Sequence, residues 1–185
     1  MTPTHLLYLH GFRSSPKSFK AQRVQRWLAE HRPEVTFWCP QLPPSPRDAM
    51  ALVSDGIAGW PATSAVLGSS LGGFYATAVA ERTGWPAVVM NPAVDPARDL
   101  AAYIGEQTAF HTPEERFYFR PEFIGELQAL RVPAVTRPER YFAVIAKGDE
   151  LLDWREMHAR YAGAPGLLLE GTMHCRTSTT TFPTC

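Results

Sequence analysis

Short apolar runs alternate with segments of helical period along most of the chain. The runs predict strands, and between them apolar residues recur at three- and four-residue spacing, as on one face of a helix. This alternation is typical of a mostly parallel sheet flanked by helices on both faces. We therefore predict an α/β fold in a single compact domain over residues 1–171. The predicted strands are 5–10, 35–39, 65–67, 86–90, 141–145 and 166–169.

Helical periods identify the elements between these strands. The first predicted helix has Val24, Trp27, Leu28 and His31 at spacings that place them on one buried face. From about residue 95 to 140 the strand signal disappears, which predicts a small helical cap segment. Its aromatic residues either line an apolar acyl pocket or pack the cap on the sheet, and the sequence leaves both open. These residues are Phe110, Phe117, Tyr118, Phe119 and Phe123.

Composition and charge narrow the class of partner. The chain has 185 residues, with 18 Lys+Arg balanced by 18 Asp+Glu, and it contains no long run of one sign. This balance argues against a nucleic-acid or anionic-membrane partner and favours a small molecule. No segment approaches the ~18 apolar residues of a membrane span, and no signal peptide is evident, so we expect a cytoplasmic protein. Three cysteines without zinc-site spacing indicate no metal, and no motif calls for a cofactor.

The sharpest motif is a G-x-S-x-G at a predicted junction of strand and helix. It comprises Gly68, Ser70 and Gly72, and Leu71 directly follows the serine. In this motif the serine occupies a strained turn that exposes its hydroxyl, and side chains at the flanking glycines would collide with that turn. The alternative is an ordinary Gly/Ser turn that begins a helix. We interpret Ser70 as a nucleophile.

A serine nucleophile needs a histidine base and an acid that orients the histidine. The chain order for this fold is serine, acid, histidine. Asp149 is the first acidic residue after the fifth predicted strand and is the predicted acid, whereas Asp153 is better explained as a helix cap. His174 follows the last predicted strand and is the predicted base, whereas His158 lies within a predicted helix.

The mechanism also requires donors for the oxyanion. We expect the backbone N–H groups of Leu71 and of Phe12, which lies in the loop after the first strand. Gly11 permits a close approach at this loop. His10 is either a hydrogen-bonding support for the loop or a core histidine with satisfied partners, and the sequence does not separate these.

Several segments resemble the UPF0227 (YqiA-type) bacterial esterase family of the α/β-hydrolase superfamily. They are LYLHGFRSSPKSFKA at 7–21, CPQLPPSP at 39–46, GSSLGGFYA at 68–76, MNPAV at 90–94 and KGDELLDWR at 147–155. The resemblance implies a compact hydrolase with little lid. It also implies that Ser70, Asp149 and a histidine cleave a small-molecule carboxylic ester or acyl thioester.

The last segment, 172–185, departs from the family pattern. The resemblance implies a final helix with acidic and apolar residues, but here the tail is rich in threonine and has no acidic residue. A GC-rich back-translation of this tail, read from the last nucleotide of its first codon, encodes HALSDFDDHLPHV. We hypothesise that the tail is frameshifted.

A catalytically weak or inactive hydrolase-fold binding protein is therefore the alternative function. A third function, nucleotide binding at the glycine turn, is disfavoured because no Lys follows the glycines.

Overall fold

The computed structural model describes residues 2–111 and 114–172, which contain a six-stranded sheet and a separate two-stranded sheet. The larger sheet has the strand order β2-β1-β3-β4-β7-β8, and every neighbouring pair in it is parallel. The predicted parallel α/β fold is confirmed. Its strands are β1 (His5–Leu9), β2 (Thr36–Trp38), β3 (Ser64–Ser69), β4 (Ala87–Met90), β7 (Tyr141–Ala146) and β8 (Gly166–Leu169), and the smaller sheet contains β5 (Gly105–Thr108) and β6 (Arg116–Phe119).

Helices connect these strands and have clear sequence signals at their ends. Ser18 and Ser45 cap two of them by accepting a backbone N–H through the side chain, and Pro46 occupies a first-turn position that needs no N–H donor. Gly84, at φ 75°, ends a third helix in the left-handed conformation. The helices are α1 (Phe19–His31), α2 (Pro46–Gly56), α3 (Leu71–Thr83), α4 (Pro96–Asp99), α5 (Glu122–Ala129) and α6 (Trp154–Arg160).

Alternate residues of the strands form two separate cores. On one face Leu7 and Val66 pack in the cluster that includes Val53 of α2, Val79 of α3 and Leu127 of α5. On the other face Tyr8 and Leu67 pack with Ala21 and Val24 of α1. This two-sided burial is what the period of two along a strand produces when helices cover both faces of a parallel sheet.

The buried face of α1 differs from the sequence prediction. Ala21 and Leu28 are the buried residues of this helix, whereas Trp27 is 52% exposed and stacks on His31, with ring centroids 4.9 Å apart. The small side chain of Ala21 lets the helix approach the sheet closely. The large indole is therefore accommodated outside the core.

The cap segment is less helical than predicted. Besides α4 and α5 it contains the antiparallel hairpin β5–β6, with Gly105 opposite Phe119 and Thr108 opposite Arg116. The aromatic residues of this segment divide between core and surface. Phe119 and Phe123 are buried, whereas Phe110 and Tyr118 are exposed.

The face of the sheet covered by α1 loses its cover towards the β8 edge. The strand register aligns Leu67, Val88 and Phe142 in one row across this face, and Leu167 lies beside Val144. Leu67 is 9% exposed, whereas Phe142 is 38% and Leu167 is 53% exposed. Strands of a parallel sheet are normally buried on both faces, but the described residues place no helix over the β7–β8 end of this face.

A tryptophan cluster joins the end of β2 to the segments that precede β3 and β4. It consists of Trp38, Trp60 and Trp85. The centroid of the Trp60 ring lies 6.1 Å from that of Trp38 and 5.9 Å from that of Trp85, and His5 packs on Trp60. Gly56 of α2 makes room for this cluster, since a Cβ there would lie 2.0 Å from the Trp38 ring. None of the helices in the described part of the chain is long and apolar enough to cross a lipid bilayer.

Candidate active site

The strand order brings the ends of β3, β4, β7 and β8 side by side at one edge of the sheet. Ser70 follows β3, Asn91 follows β4, and Asp149 lies in the loop after β7. In open α/β sheets the crevice outside the carboxyl ends of the strands is where ligands bind. The topology therefore collects the predicted nucleophile and the predicted acid at the edge where chemistry is expected.

Ser70 has the strained backbone that its motif predicts. Its φ is 56° and its ψ is −123°, in a region that side-chain-bearing residues rarely occupy. The Ser70 N–H donates to the carbonyl oxygen of Met90 at 3.0 Å, and the Ser70 carbonyl accepts the N–H groups of Gly73 and Ala93. These backbone bonds maintain the strain and hold the half-buried serine at the start of α3.

The flanking glycines allow α3 to approach the sheet. A Cβ on Gly68 would lie 2.1 Å from the carbonyl oxygen of Gly72, and a Cβ on Gly72 would lie 1.9 Å from the carbonyl oxygen of Leu9. Both positions exclude any side chain, as the motif predicts, although the obstacle to Gly72 is β1 rather than the turn itself. The helix start and Ser70 are consequently held against the central strands.

Ser69 is a hydroxyl neighbour with a different environment. It is 7% exposed, and its Oγ accepts a hydrogen bond from the Lys20 Nζ of α1 at 3.4 Å. Ser69 thus contacts the α1 side of the sheet. Ser69 and Ser70, although adjacent in the chain, therefore have different surroundings.

The loop after β1 approaches Ser70 at Gly11. A Cβ built on Gly11 would lie 3.2 Å from the Ser70 Cβ and 3.7 Å from its Oγ. The Gly11 carbonyl oxygen accepts the Ser14 N–H at 3.2 Å and contacts the His10 Nδ1 at 3.0 Å. In a trans peptide the C=O and the following N–H point in opposite directions, so the Phe12 N–H is directed away from His10. That the Phe12 N–H donates to the oxyanion stays a prediction, and so does the same role for the N–H of Leu71, the first residue of α3.

His10 supports this loop from the core. It is 4% exposed, and its Nε2 accepts the backbone N–H of Leu42 at 3.0 Å. Because Nε2 accepts, the proton is assigned to Nδ1, which donates to the Gly11 carbonyl. His10 is thus a core histidine with both ring nitrogens hydrogen-bonded, and one of these bonds is to the Gly11–Phe12 peptide.

The environment of His10 predicts a loss of stability in acid. Burial lowers the pKa of His10, the Gly11 hydrogen bond partly opposes that shift, and His111 adds to it. The folded protein therefore binds this proton less readily than the unfolded chain, where the histidine pKa is about 6.5. The stabilising contribution is complete above that pH and is lost as the pH falls through the lower folded-state value.

We expect the unfolding free energy of the wild type to fall more steeply below about pH 6.5 than that of His10→Gln. Urea unfolding at several pH values measures the difference between the two proteins, and this subtraction removes the shared contribution of the other titrating groups. Parallel curves for the two proteins would contradict the prediction.

Arg13 fastens the same loop to the hairpin β5–β6. Its φ is 58°, its Nε donates to the Thr108 carbonyl at 2.7 Å, and its own carbonyl accepts the Phe110 N–H at 2.8 Å. The guanidinium also lies 4.4 Å from the centre of the Phe110 ring. Phe12 makes edge-to-face contacts with Phe119 at 5.2 Å, so the hairpin and the loop pack as one unit.

Asp149 is held by three N–H donors. Its Oδ1 accepts the backbone N–H groups of Leu151 and Leu152, each at 3.0 Å, and its Oδ2 accepts from the Asn91 Nδ2 at 2.6 Å. Asp153 instead caps α6 by accepting the Arg155 N–H at 2.9 Å, which is the role that the sequence predicted for it. Asp149 and Asp153 thus differ in their hydrogen-bond partners, and only Asp153 caps the helix.

The predicted base lies beyond the described part of the chain. His174 falls outside residues 2–111 and 114–172. The described chain does reach the neighbourhood of the acid, because the Gly148 N–H donates to the Gly171 carbonyl at 3.1 Å and Gly148 packs against Thr172. His158 is exposed on α6 with its ring against Trp154, as expected for a surface histidine.

Asn91 is the site residue that the sequence reasoning missed. The segment MNPAV is only a point of family resemblance, and nothing in it shows that the side chain reaches Asp149. The available signal was a polar residue directly after a buried strand at the carboxyl edge. Among residues 2–111 and 114–172, no group of three His, Cys, Asp or Glu side chains has a metal-binding arrangement.

A family model described as "Uncharacterised protein family (UPF0227)" matches residues 5–180. The chain belongs to the UPF0227 family. The matched range includes every proposed site residue of this UPF0227 chain from His10 to His174. The resemblance identified from the sequence segments is confirmed.

Solved structures with the same fold are distant in sequence from this UPF0227 chain. Alpha/beta hydrolase domain-containing protein 10 from mouse has a TM-score of 0.67 at 16% identity, over 91% of this chain and 80% of that one. Est1E from Butyrivibrio proteoclasticus, with ferulic acid bound, has 0.64 at 15% identity over 91% and 80%. A monoacylglycerol lipase of Paleococcus ferrophilus has 0.56 at 11% identity over 91% and 84%. The UPF0227 chain therefore has the α/β-hydrolase fold.

Proposed function

We propose that the chain is a serine hydrolase that cleaves small-molecule carboxylic esters or acyl thioesters through an acyl-enzyme on Ser70. The observation that carries the proposal is the strained Ser70 backbone, with Gly11 beside its side chain and α3 starting directly after it. Strain of this kind persists only where the surroundings enforce it, and it is typical of a reactive side chain raised above a sheet.

The proposed reaction proceeds in two steps. The Ser70 Oγ attacks the substrate carbonyl carbon while His174 takes the hydroxyl proton, and the bond to the leaving oxygen or sulfur then breaks as His174 returns that proton. Water attacks the acyl-enzyme, gives a proton to His174, and releases the acid as Ser70 regains its hydrogen. The Leu71 and Phe12 N–H groups stabilise the oxyanion, and Asp149 orients the imidazole. No step requires a cofactor.

The assignment of His174 rests on the course of the chain. Gly171 is hydrogen-bonded to Gly148, next to Asp149, and His174 follows Thr172 by two residues. Two residues of extended chain span at most about 7 Å. This short tether favours His174 as the partner of Asp149 over the exposed His158 of α6.

Names of fold neighbours are consistent with ester chemistry. One neighbour is a monoacylglycerol lipase, and another has ferulic acid bound. A third is described by the names LipS and LipT, two metagenome-derived lipolytic enzymes. Ferulic acid is a carboxylic acid, the class of product that ester hydrolysis releases. We extend this chemistry to the present chain as part of the proposal.

A fluorophosphonate is expected to label Ser70 and to spare Ser69. Ser70 occupies the elbow, whereas Ser69 is buried and hydrogen-bonded to Lys20. Peptide mapping locates the adduct, and turnover of a short-chain chromogenic ester gives the activity. Ser70→Ala should lose both signals, whereas Ser69→Ala is the matched control that should retain them.

Two outcomes would overturn the hydrolase proposal. One is an adduct on Ser69, which would mean that the motif is misaligned. The other is equal ester turnover in wild type and Ser70→Ala after subtraction of background. A profile of rate against acyl length then defines the acyl group that the site accepts.

A second candidate function is a hydrolase-fold binding protein with weak or absent turnover. The observation that favours it is that residues 2–111 and 114–172 leave the sheet face near β8 poorly covered, with Leu167 53% and Leu169 41% exposed. A final helix beside α1 would cover this face. Its loss through a frameshifted tail would account for the exposed leucines, and it would also alter the surroundings of His174.

The frameshift has a direct test in the source DNA. We expect the alternative reading frame to remain open beyond the histidine codon and to encode an amphipathic helix with acidic and apolar residues. A stop within a few codons, or a frame without helical period, would show that the threonine-rich tail is native. The protein made from the restored frame should unfold at a higher temperature and acylate faster than the present chain, because it buries more apolar surface and regains its final helix.

A further inference from the structure

Asn91 has a backbone conformation that few residue types tolerate. It is 2% exposed, its φ is 39°, and its N–H donates to the Val144 carbonyl at 2.9 Å, which extends the pairing of β4 with β7 by one residue. Asparagine is one of the few residues with a side chain that enters the left-handed region readily. It is also the only asparagine in the chain.

The Asn91 side chain joins the end of β7 to the acid. Its Oδ1 accepts the backbone N–H of Ala146 at 2.7 Å, and its Nδ2 donates to the Asp149 Oδ2 at 2.6 Å. The Ala146 N–H can only donate, so the orientation of the amide is fixed by its partners. One side chain is therefore hydrogen-bonded both to the last residue of β7 and to the Asp149 carboxylate.

The other hydrogen bonds of Asp149 determine which lone pair is left. Oδ1 accepts two backbone N–H groups, from Leu151 and Leu152, whereas Oδ2 accepts one donor from Asn91. A carboxylate oxygen has two acceptor sites, so among the hydrogen bonds of the described residues Oδ1 is filled and Oδ2 keeps one. Lys147, two residues before Asp149, pairs with Glu170 at 2.5 Å.

We propose that Asn91 is a positioning residue that fixes the rotation of Asp149 and so directs the remaining acceptor site of Oδ2 at the histidine of the triad. This inference rests on the proposed function. It assigns to Asn91 a part in the rate of Ser70 acylation, beyond its part in joining β4 to β7.

Asn91→Asp separates these two parts by pH. The introduced carboxyl group, when protonated, makes the same two bonds as the amide, because its carbonyl oxygen accepts from Ala146 and its O–H donates to Asp149. When ionised it cannot donate and meets a like charge, so the pair holds its shared proton to a higher pH than an isolated aspartic acid. Orientation of Asp149 should therefore fail as the pH rises.

The experiment measures the rate constant for fluorophosphonate labelling of Ser70 between about pH 5.5 and 9, the range over which the histidine base becomes neutral. Wild type should rise to a plateau. Asn91→Asp should instead decline on the alkaline side, to about 10- to 100-fold below wild type, the cost of a misplaced reacting group. The matched control is Gln128→Glu, the same amide-to-acid change on the exposed surface of α5, and it should follow wild type.

A profile for Asn91→Asp with the shape of the wild-type profile would overturn the inference, and so would absence of labelling at every pH in a folded variant. If Asn91→Asp does not fold, Asn91→Gly gives the test, because glycine accepts φ 39° without strain. That variant should lose kcat on the chromogenic ester by about 10- to 100-fold with KM nearly unchanged, and an unchanged kcat would overturn the inference. Failure of wild type to label at Ser70 would overturn the proposed function itself, and the inference with it.

Discussion

Replacing Asp149 with Asn is expected to lower ester turnover about 10⁴-fold, the effect of removing the orienting charge from a triad. The structure adds a stability cost, because the carboxylate accepts three N–H donors. The amide oxygen that replaces it can still accept from Leu151 and Leu152. Its nitrogen then faces the Asn91 amide nitrogen, donor against donor, which costs about 1–3 kcal/mol. Steady-state kinetics and urea unfolding measure the two effects.

Two controls separate the charge from the hydrogen bonds. Asp153→Asn should cost at most about 1 kcal/mol and little turnover, since asparagine caps a helix nearly as well as aspartate. The double variant Asn91→Asp with Asp149→Asn restores a donor and an acceptor between the two side chains. It also moves the negative charge from residue 149 to residue 91. It should recover stability without recovering turnover. Equal kinetic damage from Asp149→Asn and Asp153→Asn would mean that Asp149 is not the acid.

Gly72→Ala is expected to destabilise the protein by about 3 kcal/mol or more, at the upper end of the cost of overpacking. The new Cβ would lie 1.9 Å from the carbonyl oxygen of Leu9 and 2.5 Å from its carbon. These are backbone atoms of β1, which pairs with β2 on one side and β3 on the other, so they cannot shift without disturbing the sheet. Such a loss is a large fraction of the stability of an ordinary domain.

The matched control for this variant is Gly125→Ala. Gly125 lies within α5, and a Cβ there would meet no atom within 4 Å. Alanine is favoured over glycine in a helix by about 1 kcal/mol, so this variant should be more stable than wild type. Chemical unfolding of the two variants gives the comparison, and a Gly72→Ala protein as stable as wild type would refute the close approach of α3 to β1.

The strands were predictable because their signal is local. Leu7 and Leu9 face one core and Tyr8 faces the other, and a run that is apolar at every position is what a strand buried on both faces requires. The hairpin β5–β6 was missed because Gly105–Thr108 contains almost no apolar residue. Its pairing depends on contacts with Phe12 and Arg13, which are far away in the chain.

The candidate site divides in the same way. Ser70 was predictable because the elbow needs glycine at both flanking positions, a requirement written in adjacent residues. Asn91 was not, since its contact with Asp149 spans 58 positions and depends on a backbone φ of 39° that no neighbouring residue specifies. Trp27 was misplaced because a helical period indicates which residues share a face but not how closely that face can approach the sheet.

The tryptophan cluster determines what optical spectroscopy can observe in this protein. Three of the five indoles, Trp38, Trp60 and Trp85, are gathered in one cluster, and two of them lie just before β3 and β4, at the opposite edge of the sheet from Ser70. Intrinsic fluorescence and near-ultraviolet dichroism therefore report mainly on melting of that edge. Trp154 differs, because it follows the Asp153 cap and lies under Lys147 and Arg155, at 5.3 Å and 5.1 Å. In a protein whose cluster indoles and Trp27 of α1 are replaced by phenylalanine, the emission of Trp154 becomes a sensor beside the Asp149 loop.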